Sequence, residues 1–328
     1  VTEAAAAHGV RLAEEARAGS RRALARLLTE VERRSPAGEA ALRLLYPLSG
    51  EAHLVGVTGA PGAGKSTLVA ALIRAARATG RPVAVLAIDP SSPITGGAIL
   101  GDRVRMQEHA GDTDVFIRSM AARGHLGGLA TASVDAAAAL AACGFPLVLI
   151  ETVGTGQSEV EIAAVADTTL VVQSPEMGDE VQAIKAGLLE VADLVAVTKG
   201  DRPGADLAAA QLRAMLTVGA QHDRAAGDRP RPRRPEVVVV SGATGLGVAD
   251  LLAALDRRSA AQRTEAGMAA SRRARAAAQV DGIVAERIRE RMADPARRAI
   301  REATIDAVAT HALDPYDAAD RLLREILP

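Results

Sequence analysis

A chain of 328 residues with 48% hydrophobic residues can bury a sizeable core in one large domain or two modest ones. Only 1% of the residues are aromatic, so that core must be Ala, Val, Leu and Ile, which suits a parallel sheet covered by helices. The formal net charge of -1 leaves no electrostatic footprint for nucleic acid, and two Tyr, two Phe and no Trp leave little to stack on bases. No run approaches the roughly 18 uninterrupted apolar residues of a membrane span, and the start of the chain lacks the basic-then-apolar pattern of a secretory leader. The single cysteine, Cys143, rules out an intramolecular disulfide framework and reads as a small buried hydrophobe. A reducing, cytoplasmic compartment is expected, with neither nucleic acid nor membrane as partner.

In chain order, residues 10–34 carry a helical pattern. Leu12, Ala16, Leu24, Leu27, Leu28 and Val31 recur at near-helical spacing, and Gly19-Ser20 marks a break between two helices. The grammar then changes. Short apolar runs at 54–58, 83–88, 115–118, 147–150, 169–173, 194–198 and 237–240 alternate with helical stretches, the pattern of a mainly parallel sheet with crossover helices. Asp228 to Pro235 sets three prolines among arginines and reads as an exposed loop or as a basic partner-binding patch. Toward the end of the chain the strand signal disappears. Val280, Val284, Ile288 and Met292 line one helical face, and Asp294-Pro295 and Asp314-Pro315 each pair an N-cap with proline at the first helical position. Apolar stripes this narrow make little core alone, so these helices are expected to pack on the main domain or on another subunit.

The strongest chemical signal is Gly59-Ala60-Pro61-Gly62-Ala63-Gly64-Lys65-Ser66, a complete G-x-x-x-x-G-K-[ST] between the predicted strand Leu54 to Thr58 and the predicted helix Thr67 to Ala78. Glycines let the backbone turn tightly and bring N–H groups close to phosphate oxygens. The helix N-terminus adds partial positive charge. Gly62, Ala63, Gly64, Lys65, Ser66 and Thr67 are thus the expected phosphate cradle, with Lys65 on the β- and γ-phosphates and Ser66 on Mg²⁺. A dinucleotide fold is disfavoured, because the loop lacks G-x-G-x-x-G and carries the lysine. The expected fold class is therefore α/β, a P-loop nucleoside-triphosphate hydrolase domain with a mainly parallel sheet over residues 46–258, with helical extensions at 1–45 and 259–328.

Such a site needs carboxylates for the metal. Asp89 ends one predicted strand, Glu151 ends another, and Asp102 closes the glycine-rich stretch from Thr95. Strand C-termini in a parallel sheet converge on the ligand, so Asp89 and Glu151 are expected to face the P-loop. Glu151-Thr152-Val153-Gly154 also has the form of a γ-phosphate sensor, with the Gly154 N–H contacting phosphate. Gln157 fits either a water-positioning role or a polar helix start. Thr198-Lys199-Gly200-Asp201 then follows the strand Leu194 to Val197, where many GTPases read Asn-Lys-x-Asp. The aspartate of such a loop accepts two hydrogen bonds from the guanine N1–H and exocyclic amine. Adenine would leave that carboxylate unsatisfied. Ser241-Gly242-Ala243, after the strand Val237 to Val240, is placed to contact the guanine oxygen. Thr198 departs from the usual Asn, which in other GTPases braces neighbouring loops.

These segments together resemble the MeaB-like GTPases, chaperones of the adenosylcobalamin-dependent methylmalonyl-CoA mutase and related acyl-CoA mutases. The resemblance rests on the P-loop through Thr67, Asp89-Pro90-Ser91-Ser92, Thr95 to Asp102, Arg118-Ser119 with Gly127-Gly128, Glu151 to Glu159, and Gly178-Asp179-Glu180 with Ile184-Lys185. It extends from the N-terminal helices through Asp314-Pro315-Tyr316. It implies GTP/GDP and Mg²⁺ as ligands, with Asp89, Asp102 and Glu151 near the metal. It implies that GTP hydrolysis gates cofactor loading and protection of the mutase, and that the C-terminal helices serve a homodimer. It also implies that Ser174 to Lys185 is a loop that reorganises when the mutase binds. Lys185 then either supplies positive charge in cis or is a solvated helix lysine.

Three other readings compete. A small-molecule kinase shares the P-loop and the acids but usually carries an arginine-rich lid, and no such lid is evident. A nickel-type metallochaperone GTPase would want a Cys/His cluster, whereas His109, His125, His222 and His311 are scattered and Cys143 is alone. A non-hydrolysing, nucleotide-gated scaffold sits poorly with intact Lys65, Ser66, Asp89 and Glu151.

Overall fold

The computed structural model describes residues 3–90, 109, 111–122, 128–152, 162–163, 165–175, 188–219, 234–262 and 265–326. At 89–90, 121–122, 128–131, 218–219, 265–272, 274–275, 278 and 326 it describes the backbone alone. Contacts divide the chain into two compact units, Val1–Ala276 and Ala277–Pro328.

Among the described residues of the first unit, β1 (His53–Thr58), β2 (Val83–Pro90), β3 (Val115–Ala122), β4 (Leu147–Thr152), β5 (Thr168–Gln173), β6 (Leu194–Val197) and β7 (Glu236–Val239) form one sheet. The order is β3-β2-β4-β1-β5-β6-β7, and every neighbouring pair is parallel. Each of the seven predicted apolar runs falls on a strand, although the runs 194–198 and 237–240 each extend one residue past the strand end, at Thr198 and Val240. Both faces are covered, so both sets of alternating side chains are apolar. Leu54 of β1 and Val148 and Ile150 of β4 face one layer, while Val55, Val57, Leu147 and Leu149 face the other.

The first face is covered on one half by α1 (Glu3–Arg17), α2 (Arg21–Glu32) and α3 (Pro36–Leu45). The second face carries α4 (Lys65–Ala78), the helix that follows the P-loop. On the first face α5 (Gly128–Ala142) joins the N-terminal helices, and α6 (Ala205–Gly219) covers Val171, Val195, Val197 and Val237 on the other half. On the second face α7 (Val248–Gln262) contributes Leu251, Leu252 and Leu255 beside α4.

The predicted break at Gly19-Ser20 is real. Gly19 has a φ of +94° and Ser20 caps α2, its hydroxyl accepting from the Ala23 N–H at 3.2 Å. The periodic pattern itself ends at residue 34, short of α3, which lies within the helical extension expected over residues 1–45. Its buried face is Ala37, Gly38, Ala41 and Leu45, three small residues and one leucine, which carry almost no periodic signal. Its start was nonetheless written in Ser35-Pro36, since Ser35 caps the Gly38 N–H at 3.1 Å. Arg118 of β3 donates to Glu32 Oε2 at 2.8 Å and to Thr29 Oγ1 at 3.1 Å, tying α2 to the sheet edge.

α8 (Glu265–Met292) runs across the boundary between the units, and α9 (Arg298–Ala309) and α10 (Pro315–Ile326) belong to the second. Both Asp-Pro starts are observed. Asp294 accepts from the Ala296 N–H at 3.0 Å, opening a short turn into α9, and Asp314 accepts from the Tyr316 and Asp317 N–H groups at 2.9 and 3.1 Å. Val280 and Val284 on the predicted apolar face are exposed within one chain.

Candidate functional site

The P-loop leaves β1 and enters α4 at the C-terminal edge of the sheet. Two of its glycines are required by their surroundings. A Cβ at Gly59 would lie 2.1 Å from the Val172 carbonyl oxygen of β5, and Gly64 holds a left-handed φ of +91° directly before α4. Lys65 is buried and reaches back over the loop, donating from Nζ to the Gly59 carbonyl at 2.6 Å and to the Ala60 carbonyl at 3.1 Å. Ser66 donates from Oγ to Glu151 Oε1 at 2.6 Å, and both residues are buried. That contact exists because β1 and β4 are parallel neighbours with Val57 opposite Glu151, so the end of β4 meets the start of α4. The backbone of Asp89 lies at the end of β2 on the other side of β4, one residue beyond the Ile88–Thr152 pair. Asp102, Gly154, Gln157 and Lys185 lie outside the described residues, as does most of the segment after Pro175.

The second half of the site comes from the neighbouring strand ends. Lys199 adopts a left-handed φ of +53°, and the Gly200 N–H donates to the Val240 carbonyl at 2.9 Å, joining the loop after β6 to the chain leaving β7. The Ser241 hydroxyl donates to the Asp201 carboxylate and, with the loop's own backbone, holds that carboxyl below its ordinary range. Ser241 Oγ also accepts from the Thr244 N–H at 3.2 Å. Gly242 sits directly on the first turn of α4, where a Cβ would lie 2.8 Å from the Thr67 carbonyl oxygen. Arg74 on the same helix donates to the Gly242 carbonyl at 3.1 Å, while Ala243 is exposed. Thr198 is buried at the head of the loop, its hydroxyl oxygen 2.5 Å from the Ala63 carbonyl oxygen and 3.1 Å from that of Gln173.

The structure thus brings Lys65, Ser66 and Glu151 together, and Thr198, Asp201, Ser241 and Gly242 around the same P-loop helix. Sequence reasoning missed Arg74. Its signal was its position seven residues after Thr67, two turns along one helical face. Cys143 is partly buried against the core, and burial pushes its thiol up to about 11, as suits a packing residue. No helix among the described residues is long and apolar enough to cross a membrane, and no three His, Cys, Asp or Glu among them form a group fit to hold a metal.

A parallel sheet with a P-loop between its first strand and helix, flanked by this pair of loops, defines the chain as a P-loop GTPase-like protein. It belongs to the MeaB family: the family described as methylmalonyl Co-A mutase-associated GTPase MeaB matches residues 24–296. A Pyrococcus horikoshii protein provisionally named a GTPase is 43% identical over 320 residues, covering 96% of this chain and 98% of its own. The GTPase ArgK of Escherichia coli is 42% identical over 205 residues, 61% of each chain. A Caenorhabditis briggsae protein named methylmalonic aciduria type A homolog, mitochondrial, is 38% identical over 206 residues, 58% of this chain and 50% of that one. The crystal structure of LAO/AO transport system kinase is similar over 100% of this chain and 99% of its own, with a TM-score of 0.67 and 25% identity. Guanine-nucleotide binding and a GTP-hydrolysing role follow for this chain from family and fold together.

Proposed function

We propose that the protein is a Mg²⁺-dependent GTPase whose nucleotide state gates adenosylcobalamin loading and protection of an acyl-CoA mutase, such as methylmalonyl-CoA mutase, and that it works as a homodimer in the cytoplasm. The observation that carries the hydrolytic part is the buried Ser66–Glu151 contact beside Lys65. A hydroxyl and a carboxylate oxygen at a phosphate loop are hard donors of the kind that Mg²⁺ takes alongside substrate phosphates, so the donor set fits that ion. Ser66, Glu151 and Asp89, with Asp102, would hold it, and it would neutralise charge on the β- and γ-phosphates.

The chain's own groups do the rest. Lys65 exchanges its two loop carbonyls for β- and γ-phosphate oxygens, and the N–H groups from Gly62 to Thr67 cradle the phosphates at the N-terminus of α4. The Gly154 N–H senses the γ-phosphate. Asp201, aimed by Ser241, accepts from the guanine N1–H and amine. The Lys199 stem covers one face of the base, and Ser241, Gly242 and Ala243 take the guanine oxygen. Lys185 adds positive charge when the mutase docks, which makes intrinsic hydrolysis slow and partner-stimulated. Linkage then requires that the GTP and GDP forms bind the mutase differently.

Family membership supports the mutase as partner. The test titrates acyl-CoA mutases from the same source into a phosphate-release assay and follows cobalamin transfer in parallel. Faster turnover and nucleotide-dependent loading are expected. If no mutase binds, alters turnover or loads in a nucleotide-dependent way, the chaperone reading fails and the GTPase reading stands.

A further inference from the structure

We propose that Thr198 is a positioning residue for the phosphate loop and that the N7 edge of the purine goes unread, an inference that rests on the GTPase reading above. Thr198 stands where three segments meet: the end of β5, the P-loop and the start of the loop after β6. Its N–H donates to the Gln173 carbonyl at 2.8 Å. Its hydroxyl has two carbonyl oxygens in reach, Ala63 at 2.5 Å and Gln173 at 3.1 Å, and a single hydrogen to give. The shorter contact, and the amide that already serves Gln173, assign that hydrogen to Ala63. Ala63 is fully buried, so loss of the hydroxyl leaves its carbonyl unsatisfied.

The Ala63 carbonyl and the Gly64 N–H belong to one planar trans peptide and point in opposite directions. Holding the carbonyl on Thr198 therefore fixes the aim of the Gly64 N–H, one of the proposed phosphate donors. The two loops also touch at the next residue. A Cβ placed at Gly64 would lie 3.5 Å from Thr198 Oγ1.

The same geometry removes Thr198 from the base. Guanine presents N7 and O6 as acceptors, so any reader of N7 must donate. Thr198 is 3% exposed and its one hydrogen is committed to the P-loop. Base choice then falls on the edge read by Asp201 and on O6, while residue 198 serves the phosphates.

The experiment measures the affinity of GDP and 7-deaza-GDP for the full chain and for Thr198→Val and Thr198→Ser. The unaltered chain is expected to bind the two nucleotides within about twofold of each other. Thr198→Val should weaken both by the same factor, about tenfold for one lost buried hydrogen bond, and Thr198→Ser should restore both, because it keeps the hydroxyl. Discrimination of tenfold or more against 7-deaza-GDP by the unaltered chain overturns the proposal. So does a change in the ratio of the two affinities in Thr198→Val, or undiminished GDP binding by that variant. If Thr198→Val does not fold, the unaltered chain decides the N7 claim and Thr198→Ser decides the hydroxyl claim, since tenfold weakening there shows that the hydroxyl alone does not set the loop. A chain that binds no guanine nucleotide at all overturns the GTPase reading itself.

Discussion

Ser241, two residues beyond the end of β7, donates its hydroxyl hydrogen to the carboxylate of Asp201 in the loop after β6, so each of the two loops holds the other. A hydrogen bond to the ionised form lowers a carboxyl's pKa, and the linkage runs accordingly. The benefit of the ionised Asp201 is present above its ordinary range and is lost only as pH falls through the lowered value. Guanine affinity is therefore expected to hold from neutral pH down through the ordinary aspartate range. Ser241→Ala should move that acid limit upward. Asp201→Asn should weaken GDP binding at neutral pH and relax the preference over ADP. Competition against labelled GDP reads all three, and equal displacement by ADP and GDP from the unaltered chain defeats the assignment.

Lys65 and Glu151 should separate in their effects. Lys65 touches the loop that would hold phosphate, whereas Glu151 meets the site through Ser66. Lys65→Ala is expected to abolish hydrolysis, at least about a hundredfold in rate, and to remove tight nucleotide binding as well. Glu151→Ala or Asp89→Ala should chiefly impair Mg²⁺-dependent turnover while GDP still binds. Phosphate release and GDP titration on the three variants check this, and normal turnover by Lys65→Ala would make the P-loop assignment wrong.

The strands were legible because β1, β2, β4, β5 and β6 are apolar on both faces and stand out against Ala-rich helices even without aromatic residues. Lys65, Ser66 and Glu151 were legible because a P-loop and a strand-end acid have their places set by parallel topology. The periodicity of α3 was hidden by its small buried face, and Arg74 by the fact that its partner is a backbone carbonyl far along the chain. Thr198 looked like a defect in an Asn-Lys-x-Asp loop. The structure shows its hydroxyl beside the P-loop carbonyl of Ala63, a relationship that spans 135 residues and cannot be read from spacing.

The same small residues that hid α3 let it lie close to its neighbours. A Cβ at Gly9 of α1 would fall 2.0 Å from the Ala37 carbonyl oxygen, and one at Gly38 would fall 2.5 Å from that of Glu30. Gly9→Ala should push α1 off α3 and destabilise the N-terminal helices by about 1–3 kcal/mol, the usual range for overpacking. A lowered urea midpoint with an unchanged slope is the expected result. An unchanged midpoint would mean that this close packing adds nothing to stability.

The second unit leaves apolar side chains uncovered in the single chain. Val280 is 57% exposed, Val284 50%, Ile305 47% and Tyr316 84%. Within α9 and α10 little is buried besides Thr304 and Ala318. Two short helices that bury so little have few contacts with which to offset the entropy of ordering them. A second copy of the chain would supply the missing contacts, and in a two-fold pair the same exposed residues would be covered on both copies. Light scattering of the full chain is therefore expected to give a homodimer. Replacing Val280 and Val284 together by serine should shift it toward monomer while GDP binding persists, because neither is among the residues assigned to the nucleotide site. Removal of residues 259–328 should give a monomer outright. A full chain that is monomeric at micromolar concentration, and unchanged in state by that deletion, would rule out the C-terminal helices as a dimer interface.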